Sequence, residues 1–361
     1  MKRFLVISLL CLCSALRAQN TELVSFIDRY SDSIITEAKQ PGMIISITKA
    51  NDIVNDVIYE KAKGLANLET KEPMDLKMRF RIGSLTKTFT TTVLLQLVDE
   101  GKLKLEDKLK KFFPVIPNSK NITIRMLGDM SSGLYNYSES KEVDDSMSSN
   151  PRKKWKPQEL VDVAVRNPVY FEPGKGYHYA NTNTVLIGMI IEKITGNTLG
   201  GEIKTRIIDK LRLSETEFPS DAEFTGFHPR GYNEDDSKFI EPLTDVTEKF
   251  DPSWAWAAGA VNSSLNDVKI YVKALAEGTL ISKKMQAERL KWSLNLPVLK
   301  YGFGIFRAGN DFYGHNGSYP GFHNVSVYSP KTGMTIIIMY NSQTNRDPDE
   351  FLKALLPLIE K

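Results

Sequence analysis

The chain has 361 residues, 47 basic against 44 acidic, and 41% hydrophobic side chains. This is an ordinary globular balance, long enough for one large domain or two small ones, and it favours no polyanionic partner such as nucleic acid. The small positive excess sits at the extreme N-terminus.

Residues 1–18 run from Lys2-Arg3 through an apolar stretch, Phe4 to Leu16, to Ala18. That pattern reads as a cleaved secretory leader, too short to span a membrane, and places the mature chain in the periplasm or outside the cell. Lys2, Arg3 and Arg17 leave with it and take the basic count from 47 to 44, equal to the 44 acidic residues. Cys11 and Cys13 also leave, so the exported chain has no disulfide, thiol nucleophile or cysteine metal site.

Asn20 to Lys39 carries Leu23, Phe26, Ile27, Ile34 and Ile35 in a surface-helix pattern. Gly42–Ala50 and Ile53–Lys63 read as a hairpin about Asn51-Asp52. The extended run ending at Gly83 turns into a helix beginning at Ser84. Leu85, Phe89, Val93, Leu94, Leu97 and Val98 make that helix apolar over most of its circumference, and Gly101 can stop it. Residues 102–217 look mostly helical, with Pro114, Pro117, Pro151 and Pro157 in the breaks and the polar run Ser138–Lys156 as a loop. Thr182 to Thr195 predicts a second apolar helix closed by Gly196-Asn197. Residues 218–258 are irregular. Leu265 to Glu277 is a helix capped by Asn262, Ser263 or Ser264. Strands follow at Tyr301–Ala308, Asp311–Asn316, His323–Ser329 and Met334–Asn341, and a last helix at about Pro348–Glu360. Strands at both ends and helices between predict an α+β chain. One sheet, about 19–83 and 259–361, would carry a mainly helical insert at about 84–258.

Three stretches can carry chemistry. Ser-x-x-Lys occurs at Ser46–Lys49, Ser84–Lys87 and Ser138–Lys141. In a strand, residues three apart face opposite ways, and the last copy is in a polar run. Only Ser84–Lys87 combines a helix start with an apolar surround, where a hydroxyl with an amine one turn away makes a nucleophile. Tyr179-Ala-Asn181 follows a Pro-Gly turn and can present a phenol and an amide to a cleft. Gly314-His315-Asn316-Gly317-Ser318, at a strand end, can offer backbone N–H groups and an imidazole to a bound carbonyl. There is no His-Glu-x-x-His and no Gly-x-Ser-x-Gly, and the four histidines are scattered, so neither a metal nor a cofactor is expected.

These three stretches, in this order, resemble the penicillin-recognising serine hydrolases: β-lactamases, D-alanyl-D-alanine carboxypeptidases and related esterases. The flanks Ile124–Tyr135, Ala258–Asp267 and Tyr301-Gly-Phe-Gly304 extend the likeness over roughly residues 25 to 355. The resemblance implies a β-lactamase/transpeptidase-like fold and acyl transfer. Ser84 is then the nucleophile, and Lys87 or a Tyr179 phenolate its base. Tyr179 also returns the proton to the leaving group. The N–H groups of Ser84 and Ser318 hold the oxyanion, with Gly317 and His315 in the same third motif. Asn181 binds a substrate amide or Lys87. Tyr135, Trp254 and Trp256 lie in stretches that line the cleft in similar proteins.

The implied substrate is a small molecule or peptide: a peptidoglycan stem peptide, a β-lactam or an ester. A carboxypeptidase is the first reading, an esterase or β-lactamase the second, and a non-catalytic sensor the rival. Two departures matter. Lys331-Thr332-Gly333 after Pro330 reads as a tight turn rather than the third motif. Asn316 stands where relatives that grip a carboxylate often have a hydroxyl, which favours an esterase or another amidase.

Overall fold

Two runs from opposite ends of the chain meet in one ladder. Strand β1 (Gly42–Ala50) pairs antiparallel with β2 (Asn55–Gly64) on one side. On its other side lies a strand formed after residue 330, with Met43 opposite Tyr340 and Ile47 opposite Ile336. The computed structural model describes residues 21–50, 55–233, 243–343 and 346–360. The leader and the Asn51-Asp52 turn lie outside the described residues.

Six further strands complete the sheet: β3 (Leu294–Asn295), β4 (Leu299–Tyr301), β5 (Phe306–Ala308), β6 (Phe312–Tyr319), β7 (Phe322–Ser329) and β8 (Met334–Tyr340). Their spatial order is β2-β1-β8-β7-β6-β5-β4-β3, antiparallel throughout.

Alternation along the strands gives the sheet two apolar faces. On the outer face Met43, Ile45, Ile47, Ile336 and Ile338 bury against α1 (residues 21–36) and α6 (Pro348–Ile359). On the inner face Ile44, Ile337 and Met339 join the core of the helical half. That half is built round α2 (Thr86–Asp99), which packs on α4 (Asn181–Thr195), while α5 (Leu265–Glu277) packs on β6, β7 and β8. Helix α2 is buried from Thr86 to Leu97. Its threonines solve the polarity this creates by bonding within the helix, Thr91 to the Lys87 carbonyl and Thr92 to that of Thr88. Of the three candidate caps of α5, Ser264 does the work and accepts from the Asp267 N–H.

Three expectations are corrected. Ser138–Lys156 is not all loop, because it contains α3 (Lys141–Ser149). Ser140 caps this helix by accepting from Val143 N, and Glu142 and Asp144 sit in its positive first turn. The run 301–308 is two strands rather than one. Gly304, at φ +64°, reverses the chain, and Gly302 N donates to the Ile305 carbonyl. Ser84 is not a helix cap. It lies within a 3₁₀ turn, Gly83–Leu85, that precedes α2, and its hydroxyl makes no capping bond. Lys331-Thr332-Gly333 is a turn between β7 and β8, with Gly333 N donating to the Ser329 carbonyl. Among the described residues no helix is long and apolar enough to cross a membrane.

Candidate active site

The Gly83–Leu85 turn is pressed against β6. A Cβ on Gly83 would come within 2.6 Å of the Ser318 backbone, and one on Gly317 within 1.9 Å of the Ile82 carbonyl. Two residues without side chains therefore bring the backbones of residues 83–84 and 317–318 together. Asn324 ties the join by donating to the carbonyls of Ile82 and Gly317 at 3.1 and 3.3 Å.

One turn into α2, Lys87 is completely enclosed. Its Nζ lies 2.9 Å from Ser84 Oγ, donates to the Ala258 carbonyl at 2.8 Å, and stands 4.8 Å from the centre of the Tyr179 ring. No carboxylate among the described residues is paired with it. Burial alone drives its pKa well below the ordinary lysine value, which favours the uncharged amine. One N–H then serves Ala258, and the nitrogen lone pair is available to the Ser84 hydroxyl. Tyr179 reaches the same hydroxyl from the other side. Burial raises its phenol far above the usual range, with the Ser84 contact opposing that shift. Tyr179 therefore holds its proton.

His315 is placed differently from the expectation. It is 1% exposed, and both ring nitrogens are occupied. Nδ1 lies 2.6 Å from the Asn316 carbonyl, which can only accept, so Nδ1 carries the hydrogen and Nε2 accepts from the Tyr301 hydroxyl at 3.2 Å. Burial, then the nearby Lys87, pull its pKa down to about 3. The imidazole is neutral and cannot offer itself to a bound carbonyl. Its role is positional: Tyr301 stands edge-on to Tyr179 at 5.8 Å, and His315 holds Tyr301.

The remaining sequence-predicted residues divide. Asn181 N donates to Asn136 Oδ1 at 2.9 Å, and its Nδ2 donates to Ser138 Oγ at 2.9 Å. Its Oδ1 is buried without a partner among the described residues, and no bond joins it to Lys87. The Ser318 hydroxyl accepts from Gln343. Asn316 donates through Nδ2 to Asp349 Oδ2 at 2.6 Å. Tyr135 stacks on Tyr170 and donates to the Glu139 carbonyl, and Trp254 packs on Tyr319. Neither Tyr135, Trp254 nor Trp256 lines the cavity that holds Ser84.

That cavity is about 820 Å³, a volume typical of small-molecule sites. Ser84, Tyr179, His315, Asn316 and Ser318 form one end, and it extends between β4–β5 and α6 over Leu299, Phe306, Leu352 and Leu356. Sequence reasoning missed this extension, the Ala258 carbonyl and Asp349. Ala258 stood in a flanking stretch that resembled the family. Asp349, after Asp347-Pro348, carried only a helix-start signal. Asp349, Asp347 and His323 bring one donor atom each within 4.8 Å of one another, a set able to hold a cation.

The geometry brings a hydroxyl, a buried amine and a protonated phenol together beside a cavity, and comparison with known proteins identifies the family. The chain is 28% identical over 323 residues to Penicillin-binding protein 4* of Bacillus subtilis, covering 84% of this chain and 69% of that one. It superposes on a D-stereospecific amidohydrolase from Streptomyces sp. with a TM-score of 0.79 at 28% identity, covering 87% and 93% of the two chains. It superposes on the D-amino acid amidase of Ochrobactrum anthropi SV3, solved with D-phenylalanine, with a TM-score of 0.80 at 25% identity, covering 95% and 99%. Residues 27–358 match the Beta-lactamase family, and the chain belongs to it as a serine hydrolase.

Proposed function

We propose that Ser84 cleaves a small amide or ester bond through an acyl-enzyme. The Ser84 oxygen bonds to the substrate carbonyl carbon as its proton passes to Lys87. The N–H groups of Ser84 and Ser318 receive the oxyanion, a role typically worth about 2.7–4 kcal/mol per donor. The tetrahedral adduct collapses, the bond to the leaving nitrogen or oxygen breaks, and Tyr179 gives that atom a proton, which Lys87 replaces. Water then attacks the acyl-serine by the same route in reverse. Lys87 serves as the base rather than Tyr179 because burial leaves the amine neutral and the phenol protonated.

The observation that carries this reading is the 2.9 Å approach to Ser84 of a buried amine that is paired with no carboxylate among the described residues. The convergence of all three groups argues against a non-catalytic sensor. The neighbourhood of Asn316 argues against the carboxypeptidase reading. Where a terminal carboxylate would be gripped, the Asn316 amide is held by an acid, Asp349, and a cation that lines the cavity, Lys353, stands exposed. An amidase or esterase of small substrates fits better, in line with the amidohydrolases it superposes on. The basic-then-apolar leader supports work outside the cytoplasm.

Intact-mass measurement after exposure to a fluorophosphonate, a penicillin and a D-alanyl-D-alanine peptide tests the reading. Wild type should gain one adduct with the fluorophosphonate, and Ser84→Ala none while keeping its fold. Labelling that survives the substitution overturns the assignment.

A further inference from the structure

The cavity that holds Ser84 is larger than its polar end requires. At roughly 30 Å³ for each water-sized group, its 820 Å³ gives space for on the order of two dozen non-hydrogen atoms. Away from Asn316 and Ser318 the wall changes character. Leu299 and Phe306, from β4 and β5, form one side, and Leu352 and Leu356, from α6, form the other. The α6 residues that line it, Asp349, Leu352, Lys353 and Leu356, recur at three- and four-residue spacing. One stripe of the helix therefore follows the cavity. From Asp349 to Leu356 that stripe rises about 10 Å.

The apolar surface continues to the mouth. Three of the seven large apolar side chains that stand exposed among the described residues lie in the one turn between β3 and β4: Leu296, Val298 and Leu299. Val298, 65% exposed, and Leu299, 37% exposed, line the cavity itself. Their backbone is tied in place, because Gly309 N donates to the Val298 carbonyl at 3.1 Å and Leu296 N to the Leu299 carbonyl at 3.0 Å. Apolar side chains gathered at the mouth of a cavity mark a binding surface. Of the acids and lysines in the wall, Asp349 is engaged by Asn316, and Lys353 and Glu360 are exposed, with Glu360 accepting from Asn310 at 2.6 and 3.0 Å. A group resting on Leu299, Phe306, Leu352 and Leu356 gains by leaving water and needs no charge of its own.

We propose that this channel receives an uncharged alkyl arm of the substrate, attached to the amide or ester that Ser84 attacks, and that Leu356 and Leu299 set the length it prefers. The proposal rests on the Ser84 acyl-enzyme reading and adds the substrate class to it. The length follows from the channel. Carbon–carbon bonds of about 1.5 Å advance an extended chain by about 1.25 Å per carbon, so a channel of about 10 Å takes about eight carbons.

Two series of fluorophosphonates, used below the concentrations that form micelles, test it. In one, the alkyl group on phosphorus grows from ethyl to tetradecyl beside a constant ethoxy group. In the other, the alkoxy chain grows beside a constant ethyl group. Fluoride leaves in every case. In at least one series the rate of labelling Ser84 should rise about three-fold per methylene and level off near about eight carbons. Leu356→Trp, which fills the far part of the channel, and Leu299→Asp, which charges its mouth, should each lower the ratio of the decyl to the ethyl rate by about ten-fold or more. Val115→Asp, at an apolar residue that is 86% exposed and does not line the cavity, should keep the wild-type ratio. Circular dichroism establishes that each variant is folded, and Leu299→Asp, on an exposed turn, carries the test if Leu356→Trp is not. The ethyl probe reads the nucleophile, and the dependence on length reads the channel. Rates that stay flat or fall with length in both series, or a length preference kept by the folded channel variants, overturn the proposal while leaving the nucleophile assignment intact. Absence of labelling by every member overturns both.

Discussion

Lys87 Nζ lies 2.9 Å from Ser84 Oγ, and its other hydrogen-bond partner is an uncharged carbonyl, that of Ala258 at 2.8 Å. A lysine so enclosed, with no acid among the described residues to balance it, is destabilising as an ammonium and useful as an amine.

Lys87→Met should therefore separate stability from activity. The folded pKa is depressed, so the unfolded chain binds the extra proton and stability rises with pH up to the ordinary lysine value of 10.5. Methionine removes that burden. The variant should melt higher than wild type at pH 7, with the gap closing toward pH 10.5, while kcat falls by roughly 10²–10⁴, the usual worth of a general base. Thermal melts across that range check it, and a variant that melts lower at every pH contradicts the neutral-amine account.

The pH profile of kcat/KM should show an acid limb from Lys87, set below 10.5, and no limb from histidine. His315, held near 3, is neutral on both sides of that limb. His315→Gln can lower the rate by loosening Tyr301 and Tyr179, but the shape of the profile should not change. Disappearance of the acid limb in that variant would make His315 a proton carrier.

Gly317→Ala should damage the join between the nucleophile turn and β6. The added carbon would come within 1.9 Å of the Ile82 carbonyl, and a backbone atom cannot step aside. A loss of about 1–3 kcal/mol in urea unfolding is expected, as for overpacking elsewhere. A fall in kcat at unchanged fold should accompany it, because the Ser84 and Ser318 N–H groups separate.

Asp349→Asn bears on stability. The Asp349 carboxyl is raised to about 7 in the folded chain against an ordinary 3.8, so its ionisation weakens the fold progressively between those values. The amide variant should be more stable than wild type at pH 8, with the advantage fading as pH falls toward 4. Burial comes first in setting this balance, then the charge of Asp347, with the Asn316 amide opposing both. Melts at pH 4, 6 and 8 read it directly.

Much of this was legible in the residues and some was not. Ser84–Lys87 stood out from the other two Ser-x-x-Lys pairs by local pattern alone, because only there does a helical apolar stripe surround the pair. Pro330 and Gly333 identified their turn for the same local reason. The positions that misled depend on contacts made far along the chain. Ser84 read as the start of the helix, whereas it lies in a separate turn, Gly83–Leu85, pressed on Gly317. His315 looked available until Tyr301 and the Asn316 carbonyl were seen to take both nitrogens. Asp349 carried only the signature of a helix start, since its neighbour Asn316 lies on a different element. Helix α3 hid in a run whose single buried apolar residue, Val143, gives too little stripe to read.

The ladder that joins β1 to β8 ties residues from opposite ends of the polypeptide. During synthesis β1 emerges well before β8 and has one flank unclaimed until residues 334–340 follow. The serine turn likewise forms long before β6 can meet it. Folding this enzyme is thus a late, long-range event, slow for its size and open to aggregation meanwhile. Until β6 is in place, the Ser84 turn lacks the backbone on which Gly83 and Gly317 let it pack.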